Sequence, residues 1–291
     1  MEQVLVAGAT GYLGRFVARA MKQQGYRVKV LVRSDRSLDA TGAFDSPAIR
    51  EWVDEVVIGD ITKPETLEGV CTQVDYVFSS IGITRQKDKV TFMDVDYQGN
   101  VNLLREAERA QVKRFMYINA HASEDCPSAM IQAKKHFVEE LKKSKLSYIV
   151  VNPTGFFSDM GIFMDMAKSG RVFLFGSGEN TMNPIHGSDL ANFCASSWEE
   201  SRVVLTIGGP KAYSYRGMSE LALDISKQKH RIYSLPVWVM KLIFPFLKLF
   251  NRRQYDLFQF FFYVMTHDAV AKPIGCYELP AYFKHLHSDG Q

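Results

Sequence analysis

Residues 3–33 read QVLVAGATGYLGRFVARAMKQQGYRVKVLVR, and this stretch decides the fold. It opens with an apolar run of strand character, which leads directly into three glycines spaced G-x-x-G-x-x-G. A helical stretch from Arg15 to Gln24 follows, and a second apolar run, Tyr26–Val32, closes the unit at Arg33. Strand, glycine turn, helix and strand in this order predict a βαβ unit with two parallel strands.

Each glycine of this turn has a physical reason. Gly8 allows the tight turn off the strand, Gly11 lets the backbone approach a pyrophosphate, and Gly14 lets the helix pack closely on the sheet. The unpaired N–H groups and the positive dipole end of the helix then face the phosphates. The motif therefore predicts dinucleotide binding, with contacts from Gly8, Thr10, Gly11, Tyr12, Leu13 and Gly14.

The end of the second strand indicates which dinucleotide is bound. Sites that prefer NAD place an acid there to hold the ribose 2′-OH, whereas this chain has Arg33, followed by Ser34, Asp35 and Arg36. Two guanidinium groups and a hydroxyl suit a 2′-phosphate, so we predict NADP(H) as the cofactor. The alternative is that both arginines are solvated loop charges, and Asp35 favours that alternative.

The composition argues against several classes of protein. The net charge of +3 over 291 residues is too small to predict nucleic-acid binding. The four cysteines are scattered without a C-x-x-C pair, which predicts free thiols in a reducing compartment and no metal site. Since the chain enters a core strand at once, we expect no leader peptide and a cytoplasmic protein.

Strand-like and helix-like segments continue to alternate as far as Pro153, among them a predicted strand at Glu55–Ile58 and predicted helices at Asp96–Ala110 and Ala129–Lys143. This alternation predicts an α/β fold, a doubly wound parallel sheet of Rossmann type with a smaller, mostly helical C-terminal substrate region. We place the NADP-binding core at 1–153, with a return strand and helix near 185–209. The substrate or lid region comprises 154–184 and 210–291.

Several motifs resemble the atypical branch of the short-chain dehydrogenase/reductase superfamily, which includes NmrA-like proteins, isoflavone-reductase-like enzymes and divinyl chlorophyllide reductases. They are the glycine turn, Gly59-Asp60, Asp96-x-x-Gly99-Asn100-x-Asn102-Leu103, Val112-Lys113-Arg114-Phe115, 151–157 (VNPTGFF) and 184–191 (PIHGSDLA). The resemblance covers roughly residues 3–210, a length that suits one large domain. It implies that Asp60 and Ile61 contact the adenine. It also implies that Ser80, Ile81 and Gly82 line the ribose and pyrophosphate, and that Pro153, Thr154 and Phe156 flank the nicotinamide.

One departure from this family concerns its catalytic Tyr-x-x-x-Lys. The aligned stretch is Met130-Ile-Gln-Ala-Lys134, so the lysine is present and the tyrosine is not. Because methionine cannot exchange a proton with a substrate oxygen, ordinary alcohol–ketone chemistry by this mechanism is not expected. We predict Lys134 and His121 as the catalytic candidates, with Lys134 also holding the nicotinamide ribose. The alternatives are a solvated lysine and a loop histidine without chemistry. Tyr117 is expected to lie in a strand and to be partly buried, and Met130 to be either core packing or part of an apolar pocket wall.

The segment 236–265 is rich in large apolar residues, but no apolar run reaches the ~18 residues needed to span a bilayer. Charged side chains interrupt it, and Pro245 predicts a break in the helix. Three interpretations stay open: ordinary core and lid, a wall of a hydrophobic substrate pocket, or a surface in peripheral contact with a membrane or partner.

These observations predict an NADPH-dependent reductase of a hydrophobic, conjugated small molecule. Hydride transfer to a C=C or C=O bond is the cofactor's own chemistry and needs mainly orientation. The alternative is a non-catalytic NADP(H)-binding redox sensor or an assembly factor at a membrane complex, which the missing tyrosine favours. A sugar-nucleotide epimerase is less favoured because it needs that tyrosine. The pattern leaves the substrate and the oligomeric state open.

Overall fold

The computed structural model describes residues 1–83, 90–121, 126–229, 231–250 and 252–288. In the first part of the chain the elements are β1 (Gln3–Ala7), α1 (Tyr12–Gln23), β2 (Arg27–Val32), β3 (Glu55–Ile58), β4 (Tyr76–Ser79), α2 (Asn100–Arg109), β5 (Arg114–Ile118), α3 (Ala129–Lys143) and β6 (Ser147–Pro153). They continue with α4 (Phe157–Lys168), β7 (Val172–Phe175), β8 (Thr181–Met182), α5 (Gly187–Ala195), β9 (Val203–Gly208), β10 (Tyr213–Ser214), α6 (Tyr215–Ile225), β11 (Ile232–Leu235), α7 (Val237–Phe250), α8 (Arg252–Met265), β12 (Lys272–Pro273) and α9 (Leu279–Ser288).

The opening βαβ unit forms as the sequence predicts. Strands β1 and β2 pair in parallel, and every residue of β1 is buried. After the helix, Gly25 adopts φ +88°, its N–H donates to the Lys22 carbonyl, and Tyr26 N–H donates to the Met21 carbonyl. This pair of hydrogen bonds is a Schellman motif, which ends α1 and turns the chain into β2.

The predicted doubly wound parallel sheet is confirmed. Within the described residues it has eight strands in the order β12-β9-β6-β5-β4-β1-β2-β3. The chain runs outward from β1 to β3 and then returns to β4 on the other side of β1. The carboxyl ends of β1 and β4 therefore flank the point where the strand order reverses, and ligands of such sheets bind at that point.

The chain divides into two compact units. The first comprises 1–120, 132–152 and 187–205, and the second comprises 121–131, 153–186 and 206–291. The core of the first unit is built mainly from sheet residues and the apolar faces of α2 and α3, including Val77, Leu104, Phe115 and Phe137. The second unit has its own core, which includes Phe157, Phe163, Met164, Tyr215, Leu223 and Phe283.

Asn183 organises the second unit from a buried position. Its amide nitrogen donates to the carbonyls of Gly209 (2.9 Å) and Ala271 (3.0 Å), and its amide oxygen accepts from Ala271 N–H (3.0 Å). A Cβ on Gly208 would stand 2.2 Å from the same oxygen, and one on Gly209 would stand 1.9 Å from the Pro184 carbonyl. The double glycine after β9 is therefore required by close backbone packing.

Two local features differ from the sequence expectations. Pro245 lies inside α7 and does not end it, because a helix can lose one backbone hydrogen bond when the turns on either side persist. The helix expected to begin at Asp96 starts as a π-helical segment, Met93–Gly99, and becomes α-helical at Asn100. The Asn100 side chain donates to the carbonyls of Val95 and Asp96, and so competes with regular helical hydrogen bonds.

Candidate functional site

A cavity of about 340 Å³ lies in the first unit at the carboxyl ends of the strands beside the order reversal. The glycine turn supplies one wall, and the segments after β2, β3 and β4 supply the others. Its lining consists of Gly8, Thr10, Gly11, Leu31, Val32, Arg33, Gly59, Asp60, Ile61, Thr62, Ser80, Ile81, Gly82, Val90 and Val95. Nine of the predicted coenzyme contacts are thus brought together at one cavity.

The glycine turn is as tight as its sequence suggests. Gly8 has φ +87°, and Gly11 N–H donates to the Gly8 carbonyl at 3.0 Å. A Cβ on Gly14 would stand 2.0 Å from the Gly8 carbonyl oxygen, whereas one on Gly11 would be 3.3 Å away. Gly11 and Thr10 are exposed on the cavity side. The turn therefore fits a phosphate group, since its backbone lies open where a larger residue would close it.

Three residues of the same turn that were predicted to contact the coenzyme, Tyr12, Leu13 and Gly14, lie outside the cavity lining. Leu13 and Gly14 are buried beneath the turn, and neither belongs to the cavity lining. The Tyr12 hydroxyl accepts a hydrogen bond at 3.0 Å from the N–H of Gly187, the first residue of α5. A Cβ on Gly187 would meet Phe16 at 2.7 Å, so α1 and α5 pack at close range.

The segment after β2 carries the residues predicted to select the coenzyme. Arg33 lines the cavity and is exposed, while Ser34 and Arg36 are exposed nearby in sequence but do not belong to the lining. The Asp35 carboxylate lies 3.6 Å from the guanidinium of Arg50. Because Arg50 offsets its charge, Asp35 opposes a 2′-phosphate less than the sequence alone suggests.

The end of β4 is fixed by a buried amide. Asn100 accepts from the Ser79 hydroxyl at 2.6 Å and donates to the Ile81 carbonyl at 3.4 Å. Ser80 N–H donates to the Ala7 carbonyl at 3.1 Å, which ties this segment to β1. The backbone of the segment 80–82 is therefore held in place where it lines the cavity.

Lys134 is the most unusual group near this cavity. Its side chain is 11% exposed, and its Nζ lies 3.3 Å from the Asp96 carboxylate and 3.3 Å from the Tyr117 hydroxyl. A Cβ on Gly82 would stand 3.0 Å from Nζ and 2.6 Å from Asp96 Oδ1, so the ammonium lies directly behind a lining residue. The cluster of Lys134, Asp96 and Tyr117 thus places a positive charge beside the coenzyme cavity.

Protonation follows from this packing. Burial by itself would lower the pKa of Lys134, but Tyr117 and Asp96 together raise the pKa above its ordinary value, so the amine is an ammonium at neutral pH. Asp96 is fully buried, and its second oxygen accepts from Ile83 N–H at 3.0 Å. Burial raises the pKa of Asp96, while the Lys134 charge opposes the rise.

Tyr117 does not replace the missing catalytic tyrosine. Although the sequence suggested that it is partly buried, it is fully buried in the core of the first unit, because its ring packs against Phe137 at 4.6 Å between centroids. Burial raises the pKa of its hydroxyl to about 12. A catalytic tyrosine needs an accessible hydroxyl with a lowered pKa, so Tyr117 supports Lys134 from behind.

The other catalytic candidate belongs to the second unit. His121 is half-buried, its N–H donates to the Pro153 carbonyl at 3.0 Å, and burial lowers the pKa of its imidazole. In the same unit the Thr154 hydroxyl donates to the Asn183 carbonyl at 2.6 Å, and Phe156 forms a parallel bridge with Ile185. Three residues predicted to flank the nicotinamide, Pro153, Thr154 and Phe156, are thus held by this unit's backbone.

Sequence reasoning missed the partners of the site residues. Asp96 was read only as part of a helix motif, although an acid among the buried positions Val95, Gly99 and Asn100 signals a buried ion pair. Met130 is 4% exposed and buried, in agreement with one of its two interpretations. Among the residues that the structure describes, no three His, Cys, Asp or Glu side chains are grouped in a way that could hold a metal ion.

Comparisons with known proteins agree on the class of protein to which this chain is related. Residues 8–201 match the model of a family described as NAD(P)H-binding. The chain is 28% identical over 254 residues to the Photosystem II assembly factor Ycf39 of Synechocystis sp., covering 86% of this chain and 75% of that protein. It is also 28% identical over 253 residues to the chloroplastic divinyl chlorophyllide a 8-vinyl-reductase of Zea mays, covering 82% and 63%.

The fold also has solved counterparts. The NADPH-dependent quinone oxidoreductase QOR2 of Escherichia coli, in complex with NADPH, superposes with a TM-score of 0.74 at 14% identity, covering 98% of this chain and 99% of that one. At such low identity the likeness shows the fold alone. Together with the sequence relatives, it confirms the resemblance drawn from the motifs.

Proposed function

Because the chain belongs to the NAD(P)H-binding family, we propose that it is an NADPH-dependent reductase of a hydrophobic, conjugated small molecule. Bound NADPH supplies a hydride, which suits an activated C=C or C=O bond. The observation that carries the proposal is the largely buried Lys134 ammonium behind Gly82, since a charge withdrawn from solvent beside a cavity is typical of a functional site.

The coenzyme contacts remain those that the motifs predict. Gly8, Thr10 and Gly11 hold the pyrophosphate together with Tyr12, and Leu13 and Gly14 support the turn from beneath. Asp60 and Ile61 contact the adenine, and Ser80, Ile81 and Gly82 line the ribose side. Arg33, Ser34 and Arg36 hold the 2′-phosphate, while Pro153, Thr154 and Phe156 flank the nicotinamide.

The two catalytic candidates have different roles in this proposal. The Lys134 ammonium donates a hydrogen bond to the Tyr117 hydroxyl and forms an ion pair with Asp96. We assign another N–H of the ammonium to a ribose hydroxyl, where the fixed ammonium orients the coenzyme and stabilises negative charge. Since its raised pKa makes Lys134 a poor acid at neutral pH, we assign proton delivery to His121 or to solvent.

Similarity to a reductase supports this proposal. The Zea mays relative is named for reduction of a vinyl group of a chlorophyllide. We propose a conjugated, hydrophobic substrate for this chain as well.

The test is stopped-flow NADPH oxidation against panels of quinones, enones and tetrapyrroles. We expect turnover with at least one class, and a large loss of kcat in Lys134→Met. Lys135→Met, at the adjacent helix position, is the matched control and should behave as wild type. Tight NADPH binding without turnover of any panel member would contradict the reductase proposal.

A second candidate is a non-catalytic NADP(H)-binding sensor or an assembly factor at a membrane complex. Met130 in place of tyrosine and the similarity to a photosystem II assembly factor favour it. For a sensor, NADPH and NADP+ should bind with different affinities, and membrane or partner binding should change with the coenzyme's redox state. Identical binding in both states would exclude the sensor.

A peripheral surface for such contact is available on α7. Trp238, Leu242, Phe246 and Leu249 recur every three or four residues and are 61–79% exposed. Among the described residues no helix is long and apolar enough to cross a membrane. In sequence, the segment 237–258 has four Lys and Arg residues and one Asp. This combination suits the surface of an anionic bilayer, so we propose peripheral membrane contact through 236–265.

A further inference from the structure

Arg15 is a buried charge with an unusual set of partners. It follows Gly14 in α1 and is only 3% exposed. Its Nε donates to the Thr10 carbonyl at 3.2 Å, and the other nitrogens donate to the carbonyls of Ala40 (2.7 Å), Pro47 (2.9 Å) and Ser37 (2.5 Å). One guanidinium therefore binds four separate backbone carbonyls.

One of these carbonyls lies in the cavity lining, and the other three lie in the segment that follows the lining residue Arg33. Thr10 is part of the glycine turn and lines the cavity. The other three belong to the segment 37–47, which continues directly from Arg33, Ser34 and Arg36. The contact is close, because a Cβ on Gly42 would stand 2.5 Å from the Arg15 Nε. Arg15 thus fixes the segment after β2 relative to the pyrophosphate turn.

Arg50 holds the same segment from its outer side. Its guanidinium donates to the Asp39 carboxylate at 3.0 and 3.1 Å and to the Asp35 carbonyl at 3.1 Å. The Asp35 carboxylate also lies within 3.6 Å of it. The residues predicted to meet the 2′-phosphate therefore begin a segment that is anchored from within by one arginine and from outside by another.

We propose that Arg15 is a specificity-determining positioning residue that gives the site its preference for NADPH over NADH. It does not touch the coenzyme itself. By fixing the backbone that carries Arg33 and Arg36, it reduces the backbone entropy that this segment loses when the two side chains bind a 2′-phosphate. NADH has a hydroxyl in place of the 2′-phosphate, so its binding gains little from a fixed backbone at this segment. The inference rests on the NADPH preference in the proposed function and gives a residue basis for it.

The planar fork explains why this position needs arginine. A guanidinium presents five donors in a fixed plane, whereas a lysine ammonium is a point charge with three. Lysine at 15 would keep the charge but leave one or more of the carbonyls of Thr10, Ser37, Ala40 and Pro47 without their donor. Arg15→Lys therefore removes the positioning while it preserves the electrostatic potential.

The test compares four ligands in Arg15→Lys: NADPH, NADH, and their adenine fragments 2′,5′-ADP and 5′-AMP. We expect Kd for NADPH and for 2′,5′-ADP to rise about 10-fold, equivalent to one charge-assisted hydrogen bond. Kd for NADH and 5′-AMP should change less than about threefold. Arg19→Lys, on the same helix, is the control and should leave all four unchanged.

A merely structural role would weaken all four ligands equally, and that result would overturn the inference. So would an unchanged ratio of NADH to NADPH affinity. Should Arg15→Lys fail to fold, Arg50→Lys decides whether the segment must be positioned, since Arg50 is exposed, the charge beside Asp35 is kept, and the same loss of 2′-phosphate selectivity is expected there. Wild-type protein that binds NADH as tightly as NADPH would refute the proposed coenzyme preference itself. A wild-type preference that survives in both variants refutes only the role of Arg15.

Discussion

The Lys134 ammonium lies 3.3 Å from the Asp96 carboxylate, and both groups are largely withdrawn from solvent. Their pairing links a helix that follows β5 with the π-helical segment that follows β4. In water such a pair would contribute little, but here each charge is the other's main compensation. Asp96 therefore controls the protonation state of the group that we assign to the coenzyme.

Asp96→Asn tests this dependence. Without the carboxylate, the pKa of the buried Lys134 should fall, because desolvation then outweighs the remaining support. We expect the Kd of the variant for NADPH to rise as pH increases from about 7 to 9, because binding weakens. The wild-type Kd should stay constant over that range. Asp94→Asn, an exposed position on the same π-helical segment, is the control. Parallel pH profiles for Asp96→Asn and wild type would contradict the prediction.

The pH profile of turnover identifies the proton donor. An acid catalyst must be protonated, and burial places the pKa of His121 below its ordinary value of 6.5. If His121 donates the proton, kcat/KM falls as pH rises through that pKa, so the inflection lies below 6.5. His121→Asn should remove this inflection. A profile that stays level until well above 10.5, the ordinary value for lysine, would instead indicate Lys134.

Two neighbouring glycine substitutions should separate folding from coenzyme binding. Gly14→Ala places a Cβ 2.0 Å from the Gly8 carbonyl, so we expect a loss of stability of about 1–3 kcal/mol or more. Gly11→Ala meets the same oxygen at 3.3 Å and lies on the exposed side, so its stability should change little while its Kd for NADPH rises. Thermal denaturation and coenzyme titration of both variants measure the two effects. Equal loss of stability in both would argue against this assignment.

Arg33 is the lining residue whose charge we expect to meet the 2′-phosphate. Arg33→Ala should weaken NADPH about 10- to 100-fold, in keeping with one or two charge-assisted hydrogen bonds. NADH binding should stay nearly constant. Fluorescence titration with both coenzymes checks this, and Arg27→Ala, at the exposed start of β2, serves as the control. If both coenzymes weaken together, Arg33 contacts a part that they share.

The apolar surface of α7 can be tested with lipid vesicles. We expect the protein to float with vesicles that contain anionic lipid, and to do so less at high salt, because charge attraction is screened. Replacement of Trp238, Leu242 and Phe246 by serine should abolish flotation without loss of stability, since all three are exposed. Ile162→Ser, exposed on α4, is the control. If the protein does not bind vesicles but self-associates through this surface, the surface would instead be a site for a protein partner.

Much of the fold was predictable because local rules sufficed. Helix α3 has the bounds that its apolar spacing predicts, Ala129–Lys143, and β3 has those of its short apolar run, Glu55–Ile58. The glycine turn likewise forms at the predicted place. These elements depend on hydrophobic periodicity and on residues that are close in sequence, so they can be predicted from the sequence alone.

The partners of the candidate site could not be read in this way. Asp96 and Tyr117 meet Lys134 from separate elements, and the Arg15 carbonyl partners are backbone atoms that any residue type could supply. Such contacts leave no periodic signal. Pro245 also shows the limit of prediction from local sequence. The local rule predicted a helix break, but the turns on either side of Pro245 remain helical.

The described lining of the coenzyme cavity comes entirely from the stretch between Gly8 and Val95, whereas Lys134, Met130 and His121 are encoded after it. The cavity that we assign to the coenzyme is thus encoded before the two side chains that we assign to catalysis. On this proposal, substitutions after Val95 would change the chemistry and leave the cavity lining intact. Bioinformatic transfer of function from the first hundred residues alone would therefore miss the distinction that matters most for this chain.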